Sequence, residues 1–221
     1  MGPSATVDLM ARVIAATPAQ DDSEHIRMLV DHNPNVPSRI KALIEMTGPS
    51  PAPVLINMAK GLATAGAQCL AMPCNTAHFY YQDIASAVDI PLLNMIHLVS
   101  EKVLQCIPKI QTVGILCSTA VKDTALYESS FSQHNIVLAY PASEGQDIVM
   151  ALIKAVKANG LKPADISALN QQVTALELRG VECLVIACTE LSVVADQIQT
   201  SLPIFDASQV LAEEIVRLAK P

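Results

Sequence analysis

Gly66-Ala67-Gln68-Cys69-Leu70-Ala71-Met72-Pro73-Cys74-Asn75-Thr76 lines up with Gly180-Val181-Glu182-Cys183-Leu184-Val185-Ile186-Ala187-Cys188-Thr189-Glu190. Each stretch opens at a glycine, runs through apolar residues for the length of a buried strand, and ends at a cysteine followed by polar residues. The copies continue downstream, where Ile90-Pro91-Leu92-Leu93-Asn94 matches Leu202-Pro203-Ile204-Phe205-Asp206 at nearly the same offset. A repeat of this length means two related halves. It also delivers one thiol to the same structural place in each half, which suits a reaction that moves a proton on or off either face of one carbon.

Working outward, short apolar runs alternate with helical periodicity. Strand-like runs are 25–31, 69–72, 91–94, 112–117, 136–139, 183–187 and 203–205. Helical patterns cover 6–16, 37–46, 53–65, 77–87, 98–106, 122–133, 145–159, 163–178 and 209–218. This alternation predicts an α/β fold built from βα units around mainly parallel sheets flanked by helices. The second half starts with its own strand, Thr-Val-Gly-Ile-Leu-Cys at 112–117. The first half shows nothing equivalent ahead of its first helix, so the repeat leads us to expect that its opening strand is missing. Such a half would keep an open edge or groove in its core.

The composition bounds the function. The chain has 221 residues, 51% of them hydrophobic and 16% charged, which is enough to bury a core and too apolar for disorder. The net charge of −7 and the absence of a basic run argue against nucleic-acid and anionic-membrane partners, although a few placed cations can still hold a small anion. The opening residues lack the basic and apolar regions of a signal peptide, and no apolar run reaches membrane-spanning length. A cytoplasmic location is expected. There the six cysteines are expected to be free thiols.

Cys74 and Cys188 each fall where a strand gives way to polar residues. In open α/β sheets the carboxyl ends of the strands face the ligand crevice, and a following helix start offers unpaired amides. A thiol in such a place has its pKa drawn from about 8.5 toward neutrality, so it can serve as thiolate base or thiol acid. The rival reading is a metal site, since Cys69/Cys74 and Cys183/Cys188 share a C-x4-C spacing. On a continuing strand that odd separation points the two side chains to opposite faces, and it matches no common zinc knuckle, so no metal is expected. Cys69 and Cys183 read as core residues, Cys106 as helix core, and Cys117 as the border of a polar turn. A pair of buried, inert thiols is the bland alternative for Cys74 and Cys188 themselves.

The stretches Pro-Cys-Asn-Thr-Ala-His at 73–78 and Ala-Cys-Thr-Glu at 187–190 resemble the paired motifs of the aspartate/glutamate racemase superfamily. Asn33-Pro34-Asn35-Val36-Pro37-Ser38-Arg39 and the opening Met1-Gly2-Pro3 resemble its aspartate racemase branch. Glutamate racemases usually carry histidine after the second Cys-Thr, where this chain has Glu190. The resemblance covers essentially the whole chain and implies two pseudosymmetric α/β domains with the active site in the cleft between them, here residues 1–96 plus 207–221 and residues 97–206. It implies a cofactor-independent racemase in which Cys74 and Cys188 are the two catalytic acid/base groups and a homodimer is the working assembly.

The resemblance further implies contacts from Asn75, Thr76, Thr119 and Thr189 to the α-carboxylate and amine of an acidic amino acid, most simply aspartate. Arg39 and Lys157 are the cations it offers for a second carboxylate. Arg39 can grip one bidentately, whereas the plain alternatives are a surface arginine at a helix start and a solvated lysine at a helix end. Glu190 either orients the amine or Cys188, or caps a helix; His78 orients its neighbours or fills the core. The developing enediolate needs hydrogen-bond donors at its oxygens, and no Rossmann glycine pattern or Walker lysine suggests a cofactor. Other reactions of the same cleft, such as glutamate or hydantoin racemisation and maleate isomerisation, or silent dicarboxylate binding, are the alternatives.

Overall fold

The computed structural model describes residues 2–220, so Met1 of the Met-Gly-Pro opening and the terminal Pro221 lie outside the described residues. Helices are α1 (Pro3–Ala16), α2 (Arg39–Leu43), α3 (Ala52–Thr64), α4 (Tyr81–Ala85) and α5 (Met95–Cys106) in the first part of the chain. There follow β1 (Thr112–Cys117), α6 (Thr119–Asp123), α7 (Glu128–Ser132), β2 (Val137–Ala139), α8 (Ser143–Lys157), α9 (Pro163–Leu178), β3 (Cys183–Ala187), α10 (Thr189–Ser192), β4 (Ile204–Asp206) and α11 (Ala207–Ala219).

The strands form one wholly parallel sheet in the order β2-β1-β3-β4. Its two central strands are buried on both faces, which is why their sequences are continuously apolar. Val113, Ile115, Cys183 and Val185 face one core with α1, α5 and α11, while Leu116, Leu184 and Ile186 face a second core made by α8 and α9. Gly114 lets the two strands pack closely: a Cβ there would sit 2.7 Å from Leu184 Cδ2, and the Leu184 side chain would have to shift.

The first half corrects the expectation of a second sheet. Among the described residues, 25–31, 69–72 and 91–94 form no ladder; what remains is a single parallel bridge, Leu70 to Leu92. That bridge is the counterpart of the β3–β4 pair Leu184 to Ile204, with Leu70 N–H on Pro91 C=O as Leu184 N–H is on Pro203 C=O. The physical reason for the lost sheet lies in the middle of it. In the second half β1 runs between β2 and β3, but between residues 25–31 and 69–72 there is instead a groove of about 950 Å³ lined by Leu9, Val13, Ile26, Met28, Cys69 and Ala71. Among the described residues, 26–31 make no backbone–backbone hydrogen bond, and of the stretch 69–71 only Leu70 is so bonded, its N–H to Pro91 C=O and its C=O to Leu93 N–H. Strand pairing is non-local, so these runs have strand composition without a partner.

Whether the groove accepts a strand can be tested. A copy of the β1 sequence Thr-Val-Gly-Ile-Leu-Cys joined ahead of Gly2 should fill it. Burying two more apolar side chains gives about 3 kcal/mol, so the thermal midpoint should rise by about 6 °C or more in a chain of this size. An unchanged midpoint, or an equal rise with a proline-interrupted version, would show that the groove does not accept a strand.

Two predicted helices are also broken. Residues 77–87 become a 3₁₀ turn, Thr76–Tyr80, followed by α4, and 122–133 divide into α6 and α7 with Ala125 in left-handed conformation at φ 50°. The helix expected from 37 to 46 shortens to α2, begun by the Ser38 hydroxyl accepting from Lys41 N–H. In contrast α5 starts earlier than its pattern suggests, at Met95, because Asn94 Oδ1 caps Ile96 and His97. Asp206, the repeat equivalent of Asn94, likewise caps α11 through Ser208. The capping role survives duplication even where the strand ladder does not.

Candidate active site

The parallel register fixes the frame of the site. Cys117, the last residue of β1, lies beside Ala187, the last of β3, so Ser118 and Cys188 leave the sheet at the same end. Cys188 is the residue before α10, and Thr189 is that helix's first residue. The Cys74 segment reaches this end by two side-chain bonds. Thr76 Oγ1 lies 3.1 Å from Ser118 Oγ, and the Tyr127 hydroxyl donates to Asn75 Oδ1 at 2.6 Å. The Cys74 segment is therefore tied to residues that follow β1, at the end of the sheet where Cys188 leaves β3.

Within each C-x4-C pair the thiols part company. Cys69 and Cys183 pack on the core of α1, α5 and α11, whereas Cys74 and Cys188 pack on different clusters, as the odd spacing requires. All six cysteines are free. Among the described residues no group of three or more His, Cys, Asp and Glu side chains is placed to hold a metal, and no helix is long and apolar enough to cross a membrane.

Cys188 is buried, and its thiol donates to Glu190 Oε2 at 3.2 Å. Burial and the adjacent carboxylate both push its pKa well above the ordinary thiol value, the carboxylate by its charge and by accepting the S–H, so Cys188 rests as a thiol. Glu190 is itself buried and carries Lys157 on its other oxygen, Nζ to Oε1 3.5 Å. The start of α1 completes this cluster: a Cβ on Gly2 would stand 2.6 Å from Glu190 Oε1, so glycine lets a helix N-terminus approach a carboxylate. Lys157 is thus placed on Glu190, and Glu190 on Cys188.

Cys74 is half-buried and held by its backbone. Met95 N–H donates to His78 Nε2 at 3.1 Å, which leaves Nδ1 as the protonated nitrogen, donating to the Cys74 carbonyl at 2.9 Å. Burial lowers the His78 pKa and keeps the ring neutral, consistent with that tautomer. His78 therefore fixes the loop carrying Cys74 and the first turn of α5 to one another.

Arg39 opens α2, which packs against α6, the helix begun by Thr119. Its guanidinium donates to the Pro37 carbonyl at 3.1 Å, and Nε is buried without a hydrogen-bond partner. Among the described residues no carboxylate is paired with it. The Thr119 N–H meets Met150 Sδ at 3.2 Å, leaving its hydroxyl uncommitted, and Thr189 is buried beside Cys188. Four residues that sequence reasoning passed over hold this frame: Ser118, Tyr127, Gln146, whose Nε2 donates to the Cys117 carbonyl at 2.9 Å, and Met150. Ser118 sits in the recognisable polar turn after β1, but nothing local in the sequence marks the other three.

Residues 1–215 match the family model described as Asp/Glu/Hydantoin racemase. The broad-specificity amino-acid racemase RacX of Bacillus subtilis is 29% identical over 163 residues, covering 73% of this chain and 69% of that protein. The aspartate racemase of Picrophilus torridus superposes with a TM-score of 0.86 at 28% identity, over 99% of this chain and 90% of that one. The glutamate racemase RacE1 of Bacillus anthracis shares the fold, with a TM-score of 0.67 at 13% identity over 98% and 78% of the two chains. The parallel sheet flanked by helices, the duplicated cysteine motif and the match along nearly the full length place this chain in the Asp/Glu/Hydantoin racemase family of isomerases.

Proposed function

We propose that the chain racemises an acidic amino acid, aspartate first, by two-base proton transfer between Cys74 and Cys188 without a cofactor. The observation that carries this reading is that Thr76–Ser118 and Tyr127–Asn75 tie the Cys74 motif to the segment after β1, whose end lies beside the end of β3 where Cys188 emerges. The similarity to an aspartate racemase supports the substrate. So does Arg39, a guanidinium with no carboxylate partner among the described residues, which suits the distal carboxylate of a dicarboxylic amino acid.

In one direction Cys188 passes its S–H proton to Glu190 and, as thiolate, takes the Cα proton. The electron pair left at Cα delocalises into the α-carboxylate, whose oxygens are met by donors from Asn75, Thr76, Thr119 and Thr189. The Cys74 thiol then protonates the opposite face. The product is the other enantiomer, with Cys188 as thiol, Cys74 as thiolate and Glu190 still protonated; reversal from this state serves the second enantiomer, and the resting state returns when Glu190 gives its proton to solvent and Cys74 takes one up. Lys157 balances Glu190 rather than standing free for substrate. The division into halves 1–96 plus 207–221 and 97–206, homodimer assembly and a cytoplasmic location belong to the same reading.

A broader substrate range is the second reading. It is favoured by the engagement of Lys157 with Glu190, which leaves Arg39 as the sole proposed anchor for a side-chain carboxylate, and by the similarity to a broad-specificity racemase. Incubation of the reduced protein with L-aspartate in deuterated water should yield D-aspartate carrying deuterium at Cα. Run in parallel, L-glutamate and L-alanine separate the two readings. Equal turnover of alanine would remove the need for Arg39, and no exchange with any of the three from folded protein would overturn the proposal.

A further inference from the structure

Tyr127 lies just before α7, fully buried, with its ring stacked on Phe131 at 6.4 Å between centroids. Its hydroxyl donates to Asn75 Oδ1 at 2.6 Å. That bond decides which way the Asn75 amide faces, since an O–H donor selects the oxygen and leaves the NH₂ at the other end. Asn75 is only 2% exposed, yet its Nδ2 has no hydrogen-bond partner. Leaving a buried donor unpaired is unfavourable, so a group that is both held by a dedicated bond and left unpaired is a donor waiting for an acceptor. Asn75 immediately follows Cys74, and Tyr127 comes from the half that carries Cys188.

We infer that Tyr127 is a positioning residue for the reaction: by holding Asn75 Oδ1 it presents the Asn75 NH₂ to a carboxylate oxygen of the bound amino acid. This rests on the proposed function for the identity of the acceptor. It also ties the donor beside one thiol to the half bearing the other, so that the two halves must be correctly seated for the amide to face its ligand. Tyr127 touches Asn75, not the substrate.

The experiment follows the side-chain ¹⁵N signals of Asn75 in the full chain during titration with acetate, L-aspartate and L-glutamate, and scores deuterium exchange at Cα on the same samples. In the wild-type chain the Asn75 NH₂ should shift on addition of L-aspartate. In Tyr127→Phe, which keeps the ring, apparent affinity should fall about tenfold, the worth of one well-made hydrogen bond. Asn75→Asp provides the second variant: its carboxylate still accepts the Tyr127 hydroxyl but cannot donate, so it should lose binding to the same degree as Tyr127→Phe or more. Adding Tyr127→Phe to Asn75→Asp should then cost nothing further.

An Asn75 signal that ignores all three carboxylates, wild-type affinity in Tyr127→Phe, or multiplying effects in the double variant would each overturn the inference. A silent Asn75 with active exchange defeats only the role of Tyr127. A responsive Asn75 without exchange defeats only the racemase reading.

Discussion

Cys188→Ala and Cys74→Ala should each lower racemisation by about 10³-fold or more, within the range a single positioned acid/base group supplies. The argument is one of stoichiometry on two faces. Racemisation needs a proton removed from one side of Cα and another delivered to the opposite side, and neither thiol can reach both. Each variant should nevertheless keep one half-reaction. Cys188→Ala should wash deuterium into only the enantiomer whose Cα–H faces Cys74, and Cys74→Ala into only the other. Glu190→Gln should slow most the direction in which Cys188 is the base, since Glu190 is the acceptor of its S–H at 3.2 Å. Measured by circular dichroism and by mass-resolved exchange, racemisation near wild-type rate in both cysteine variants would sink the two-thiol mechanism. Loss of exchange from both enantiomers in both variants would mean that the thiols do not act as independent bases.

The second half was legible in the sequence because its strands have partners that are themselves strands. Thr112–Cys117 and Cys183–Ala187 read as buried parallel strands and pair in register. The first half carries the same composition at 25–31 and 69–72, and composition cannot report that a groove, not a paired strand, lies between them. The split of residues 77–87 was hidden for a similar reason, since His78 is bound at both ring nitrogens to groups outside its own turn. Cys74 and Cys188 stood out because duplication repeats them with polar followers. Tyr127 did not, because its meaning resides in a single bond to Asn75, far away in the chain. Lys157 was readable as a cation near the site but not as the partner of Glu190, because a charge can be recognised in sequence while its counter-ion is chosen by the fold.

Stability should collapse on the alkaline side, and the thiols fix where. Burial pushes the Cys117 thiol far above its ordinary value of 9.0, and burial with the Glu190 charge does the same to Cys188. Raised folded-state values mean that the folded chain holds its protons longer than the unfolded one. Below about pH 9 both states are protonated and the full stability is present; above it the unfolded chain ionises first, and stability is lost until the folded thiols titrate as well. Each such group contributes about 1.4 kcal/mol per pH unit, so Cys117 and Cys188 together should give a slope of about 2.7 kcal/mol per unit above pH 9. Cys183, pushed up to about 12 by burial, steepens it further. Urea midpoints taken from about pH 8 to pH 10 should therefore fall steeply after a flat stretch, and Cys188→Ala should remove about half of the two-thiol slope. A flat profile to pH 10 would contradict the protonated state assigned to Cys188, and with it the need for Glu190 to take that proton before Cys188 can act as a base.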